Sequence, residues 1–151
     1  MRSIWDALFG GDRSSAIRRT DASAADARTL EEERARIRKE NPYGLYEGRH
    51  YTEYVDEVRE LKKANPLAAE QLLLHLVDVV EREASARRWK PAPWYFEHAA
   101  IIRRKRKDYA GEVAILERHE RWYPDGGKFA ERLQKARALA QRERAIDHRA
   151  G

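Results

Sequence analysis

From Tyr51 onward the apolar residues recur every three or four positions, a spacing that predicts helices. Tyr51, Tyr54, Val55, Val58, Leu61 and Lys62 fall at i, i+3, i+4, i+7, i+10 and i+11, one face of a helix of about four turns. Asn65-Pro66 then supplies an N-cap followed by a proline at the first helical position. A second helix therefore starts where the first stops, which makes an αα-hairpin. That helix, Leu67 to about Arg87, carries Leu72, Leu73, Leu76, Val77, Val79 and Val80, a stripe broad enough for the centre of a helical stack. Lys90-Pro91-Ala92-Pro93 ends it. Trp94 to about Arg106 and Tyr109 to about Trp122 read as a second hairpin turning at Lys107-Asp108. After the break Pro124-Asp125-Gly126-Gly127, a last helix places Phe129, Leu133, Ala136, Leu139, Ala140 and Ile146 on one side.

Before Tyr51 the pattern is thinner. Thr29 to Glu40 predicts a charged helix whose seam is Leu30 and Ile37, seven apart, with glutamates preceding arginines, and it should lie on the surface or across a partner. Asn41-Pro42-Tyr43-Gly44 is a breaker, and the segment through His50 reads as a loop that tucks in Tyr43, Leu45 and Tyr46. No stretch sustains period-2 alternation, so strands are not expected. The first 25 residues are rich in Ser, Ala, Asp and Gly and hold one apolar cluster, Ile4, Trp5, Leu8 and Phe9. A mobile tail, a staple on the chain's own core and an anchor to a membrane or partner all fit that cluster. The organisation expected is a flexible arm over 1–28, one helical domain over 29–147 and a tail over 148–151.

Composition sharpens this picture. A charged content of 38% and a mean hydropathy of -0.90 suit helices that bury one stripe and solvate the rest, so the class is all-α. The chain has no cysteine, which excludes disulfides, thiolate metal sites and a cysteine nucleophile. Its longest apolar run, LLLHLVDVV, is interrupted by His75 and Asp78 and falls short of the roughly 20 residues of a membrane-spanning helix. The N-terminus has no apolar core of a signal peptide, and a cytoplasmic location is expected. A net charge of +5 permits nucleic-acid binding without demanding it.

The stretch from Phe96 to Pro124 resembles one tetratricopeptide repeat. Phe96 stands at the first large aromatic, Ala99-Ala100 at the large apolar and small positions, Leu116 at the later aromatic, Pro124 at the closing proline, and Asp108-Tyr109 at the turn into the second helix. Three residues depart from the motif. Arg103 replaces the tyrosine of the first helix, Glu112 the small residue where the helices approach, and His119 the following alanine. The alignment implies that Arg103 and Glu112 face one another as a charge pair between the helices. The hairpin from Tyr51 to about Arg87 resembles a divergent repeat with a lengthened second helix, and the last helix resembles a capping helix. Tyr51 through Arg118 is also similar to uncharacterised bacterial proteins of tetratricopeptide type, some of which carry the module beside a HIRAN domain; no HIRAN domain is present here. The resemblance implies antiparallel helical hairpins stacked as a short solenoid, with the first helix of each hairpin lining a groove. In this chain that stripe holds Trp94, Glu97, His98, Ile101, Arg104 and Lys105, a seat for a peptide bearing an apolar anchor and a carboxylate, unless the capping helix or the N-terminal arm fills it. The Lys and Asn pattern by which chaperone-binding members grip a terminal carboxylate is missing, so that specificity is not implied.

The remaining chemistry is sparse. Arg103, Arg104, Lys105, Arg106 and Lys107 close a helix, where cations satisfy the last carbonyls and the macrodipole; five in a row repel one another more than capping requires, which leaves an acidic protein surface or phosphate as alternatives. Of the histidines His50, His75, His98, His119 and His148, none forms an i, i+4 pair around a glutamate, and no metal site is expected. His75, on a face with Asp78 and Arg82, should be solvated. Ser85 has no base in sight, and the paired carboxylates Glu31 to Glu33 and Glu81 with Glu83 fall on charged helix faces. No phosphate-binding glycine motif occurs, and Trp89, Trp94, Trp122 and Tyr123 are placed to seal helix ends. No catalytic residue and no cofactor is expected. The sequence thus points to a non-catalytic protein–protein adaptor. The alternatives are an accessory nucleic-acid binder using residues 103–107 and a structural subunit of a larger assembly.

Overall fold

A computed structural model describes residues 24–151, and the cluster Ile4, Trp5, Leu8 and Phe9 lies outside the described residues. The chain divides into two compact units, residues 1–33 and 34–151. Among the described residues there are six α-helices: α1 (Ala24–Glu40), α2 (Val55–Ala64), α3 (Pro66–Arg87), α4 (Pro93–Lys105), α5 (Tyr109–Glu120) and α6 (Ala130–Ala150). The helical class expected from composition is what the chain adopts. From α2 onward each helix packs against the next along the chain.

Local chemistry sets the joints. Asn65 alone separates α2 from α3; its side chain accepts from the Ala68 N–H at 3.2 Å, and Pro66 follows at the first helical position. Asp108 caps α5 by accepting from the Gly111 N–H at 2.9 Å. At the end of α4, Lys107 takes φ +61°, Lys107 N donates to Arg104 O at 3.0 Å and Asp108 N to Arg103 O at 2.9 Å. This is a Schellman closure with a lysine where glycine is preferred. Arg88 plays the same left-handed part after α3, with φ +57°.

The core follows the predicted stripes. Tyr54, Val58, Leu73, Leu76, Val77, Val80, Tyr95, Phe96, Ala99, Ala100, Leu116 and Ala136 are all buried. The edges differ from expectation. Leu72 and Leu139 are half-buried, and Ile146 is 66% exposed because α6 continues past the elements it packs on. The charged helix starts at Ala24 rather than Thr29 and buries nothing; its seam residue Leu30 is exposed. The helix predicted from Tyr51 begins as a 3₁₀ turn over Tyr51–Tyr54.

Residues 41–50 correct the loop expectation. Leu45–Tyr46 pairs antiparallel with Arg49–His50, a two-residue hairpin whose turn residues Glu47 and Gly48 both have positive φ, 47° and 78°. Two residues per strand are too few for an alternation signal. Tyr43, expected to tuck in, is exposed; the backbone is held instead, with Arg82 donating to Tyr43 O at 2.9 Å and Leu45 O at 2.6 Å. Tyr54 Oη donates to Tyr46 O at 2.6 Å, and Tyr46 stacks on the exposed His75, their rings 5.3 Å apart. Gly44 lies against His50: a Cβ there would sit 2.6 Å from Nε2. Arg38 pairs with Glu53 at 2.6 Å, and Glu53 also accepts from the His50 N–H at 2.8 Å. Burial pushes the Glu53 carboxyl up, but these hydrogen bonds and the charges of Arg38 and Arg34 outweigh it and hold it below the usual carboxylate range.

Candidate binding face

The six residues predicted to line a groove all lie on α4, and the structure shows what stands beside each. Trp94, Glu97, His98, Ile101 and Arg104 are half-buried and Lys105 is exposed. The stripe is therefore less open than the sequence implied, because α2 and the segment before α6 lean over its edges. Lys62 Nζ on α2 donates to His98 Nδ1 at 2.7 Å, and the other face of the imidazole meets the Trp94 ring at 4.1 Å between centroids. On the far side Lys128 approaches Glu97 at 3.6 Å.

This arrangement makes His98 neutral at physiological pH. Burial, then the charges of Lys62 and Arg59, push it down to about 4. A neutral ring can accept the Lys62 proton. Lys62 is itself held below the usual lysine range by burial and by Lys105, with Glu97 opposing. Two lysines that each face cations carry an excess of positive potential that a carboxylate could relieve.

Next along α4, an open cleft of about 410 Å³ is lined by Arg104, Lys128, Glu131, Arg132 and Lys135. Beneath it Glu112 is 0% exposed, bonded by Arg104 and by Arg132 Nε at 3.1 Å. The face thus draws on α2, α4 and α6 and carries six cations, Lys62, Arg104, Lys105, Lys128, Arg132 and Lys135, against Glu97, Glu112 and Glu131. Sequence reasoning missed Lys62, which was counted on an apolar face, and Lys128, Arg132 and Lys135. The last three recur at i, i+4 and i+7 and were open to being read as a basic stripe.

The run Arg103 to Lys107 is mostly consumed inside the molecule. Arg103 donates to Glu70 Oε1 at 2.8 Å and to Gly111 O at 2.8 Å, Arg106 also binds Glu70, and Arg104 binds Glu112. Lys105 and Lys107 are exposed. The anions that relieve the run's self-repulsion are carboxylates of this chain. The expected Arg103–Glu112 pair is overturned: Arg103 reaches back to α3, and Glu112 takes its cations from the next position of α4 and from α6. A one-residue step on a helix turns a side chain by about 100°, which is enough to exchange the partners.

One further expectation is corrected. Glu83 does not lie on a charged face: it is 2% exposed, with His50 Nε2 at 3.7 Å and Arg87 Nε at 3.8 Å. His119 is fully buried among Phe96, Tyr123 and Phe129, its Nδ1 3.2 Å from Glu120 Oε1. Burial pushes the His119 imidazole down, with Glu120 opposing. Trp122 seals a helix end as expected, its Nε1 donating to Glu81 at 3.0 Å, whereas Trp89 is exposed.

Among the described residues no group of three His, Asp or Glu side chains could hold a metal ion, and no helix is long and apolar enough to cross a membrane. Compared with known proteins, the chain matches no family model and has no significant match to a curated protein or to a solved structure.

Proposed function

We propose that this chain is a non-catalytic adaptor, a short tetratricopeptide-like stack of helical hairpins, and that the α2–α4–α6 face takes an acidic protein segment. The observation that carries this reading is the gathering of Lys62, Lys105 and Lys128 about the stripe of Trp94 and Ile101, a positive surface with apolar footing. In a hairpin stack alternate helices share one side, so a bound segment running across them can touch all three. Its carboxylates are drawn to Lys62, Lys105 and Lys128, and an apolar side chain rests on Trp94 and Ile101. Such binding weakens with salt because the exposed lysines supply much of the attraction.

The test is a titration of the full chain with short peptides rich in Asp and Glu that carry one Leu or Ile, read by tryptophan fluorescence. Binding that drops at least tenfold in Lys105→Glu/Lys128→Glu supports the reading. An absence of response to every acidic peptide at low salt overturns it. The nucleic-acid alternative is weaker because Arg103, Arg104 and Arg106 already hold carboxylates. A mobility shift with single- or double-stranded DNA at low salt, abolished by Lys105→Glu/Lys107→Glu, would favour it instead.

A further inference from the structure

The far half of α6 is polar apart from one large apolar side chain, Ile146, which is 66% exposed. At 1.5 Å per residue the 21 residues of α6 span about 31 Å and the 12 of α5 about 18 Å, so α6 outruns its neighbour by more than two turns. Residues 141–150 are exposed throughout. At the root of this extension Tyr109, Leu139, Arg142, Glu143, Ile146 and Asp147 line an open cleft of about 330 Å³. Ile146 is one heptad beyond Leu139, and both line the same cleft, which nothing else in the described residues fills.

We infer that a second copy of this chain covers the cleft, the two α6 extensions pairing antiparallel about a two-fold axis between positions 142 and 143. That register is self-complementary in every layer. Leu139 meets Ile146 of the second copy and Ile146 meets Leu139, so each isoleucine enters a cleft walled by Tyr109. Arg142 stands opposite Glu143 of the second copy, twice by symmetry. A parallel pairing in register would set Arg142 against Arg142 and Glu143 against Glu143, and is disfavoured by like charge. The contact is isologous and closes as a dimer. One pair of short helices buries less than a standard interface, so the dissociation constant falls on the order of 10–100 μM and the dimer depends on concentration. The dimer does not depend on the proposed binding face.

Sedimentation velocity of the full chain from about 1 μM to about 500 μM, a range that spans the constant above, reads the equilibrium. The expected result is a monomer–dimer transition that Ile146→Asp weakens at least tenfold, with circular dichroism confirming that this exposed substitution leaves the helices intact. Arg142→Glu and Glu143→Arg should each weaken the dimer several-fold, and the double variant should restore it, because the swap recreates the cross-pair with its signs exchanged. A chain that stays monomeric throughout, a dimer unmoved by Ile146→Asp, or a double variant no better than the single ones overturns the inference.

Discussion

Among the described residues Glu112 and Glu83 are the two most deeply buried carboxylates, one in each hairpin, and they are held in opposite ways. Glu112 on α5 is gripped by two guanidiniums, Arg104 and Arg132, from the helices on either side. Glu83 on α3 faces a buried histidine at 3.7 Å and an arginine at 3.8 Å, neither within hydrogen-bonding distance. The second hairpin is therefore pinned to α6 through a saturated ion network. The first is pinned to the segment before it mostly through backbone: Arg82 to Tyr43 O and Leu45 O, and Arg87 to Glu40 O. A saturated buried network stands or falls as a unit, whereas a set of backbone contacts yields one contact at a time.

The largest test of that contrast is Glu112→Ala. It leaves Arg104 and Arg132 facing each other across a space with no anion, and urea denaturation should show a loss of about 3–5 kcal/mol. Glu83→Gln keeps the shape and removes a charge whose ion-pair partners, His50 and Arg87, stand beyond hydrogen-bonding distance; a loss below about 1.5 kcal/mol is expected in the same assay. If the two variants cost the same, the distinction drawn between the hairpins is wrong.

Acid should act on the second hairpin and its junction. The folded-state value of His98 is depressed to about 4, and that of His119 is depressed as well, against an unfolded value near 6.5. The unfolded chain then binds more protons than the native one in this window, so stability is complete above about pH 6.5 and declines as pH falls toward 4. For a half-exposed ring the discounted contribution of His98 is about 1–2 kcal/mol. A stability–pH profile that stays equally steep in His98→Gln would show that the ring does not titrate this way.

The smallest effect belongs to the two left-handed helix ends. Lys107→Gly relieves the positive φ after α4 but loosens the unfolded chain, for a net gain of about 0.5 kcal/mol in thermal melts, and Arg88→Gly after α3 should behave alike. A loss at Lys107 alone would mean that its side chain contributes to the second hairpin in some way beyond the turn.

The sequence by itself determined the helices and their joints. The stripes Tyr54-Val58 and Leu73-Leu76-Val77-Val80, the Asn65-Pro66 start and the turn at Lys107-Asp108 are short-range features, each decided within a few residues, and they appear where the spacing put them. Only the tertiary structure decided which cation meets which carboxylate. Arg103 and Arg104 are identical in propensity and adjacent in the chain, yet one turns to Glu70 of α3 and the other to Glu112 of α5. Ion-pair choice depends on the angular setting of neighbouring helices, and no local pattern encodes it. The same reason hid Glu83 and Lys62: each is fixed by what lies across from it, so its role is a property of the assembled core.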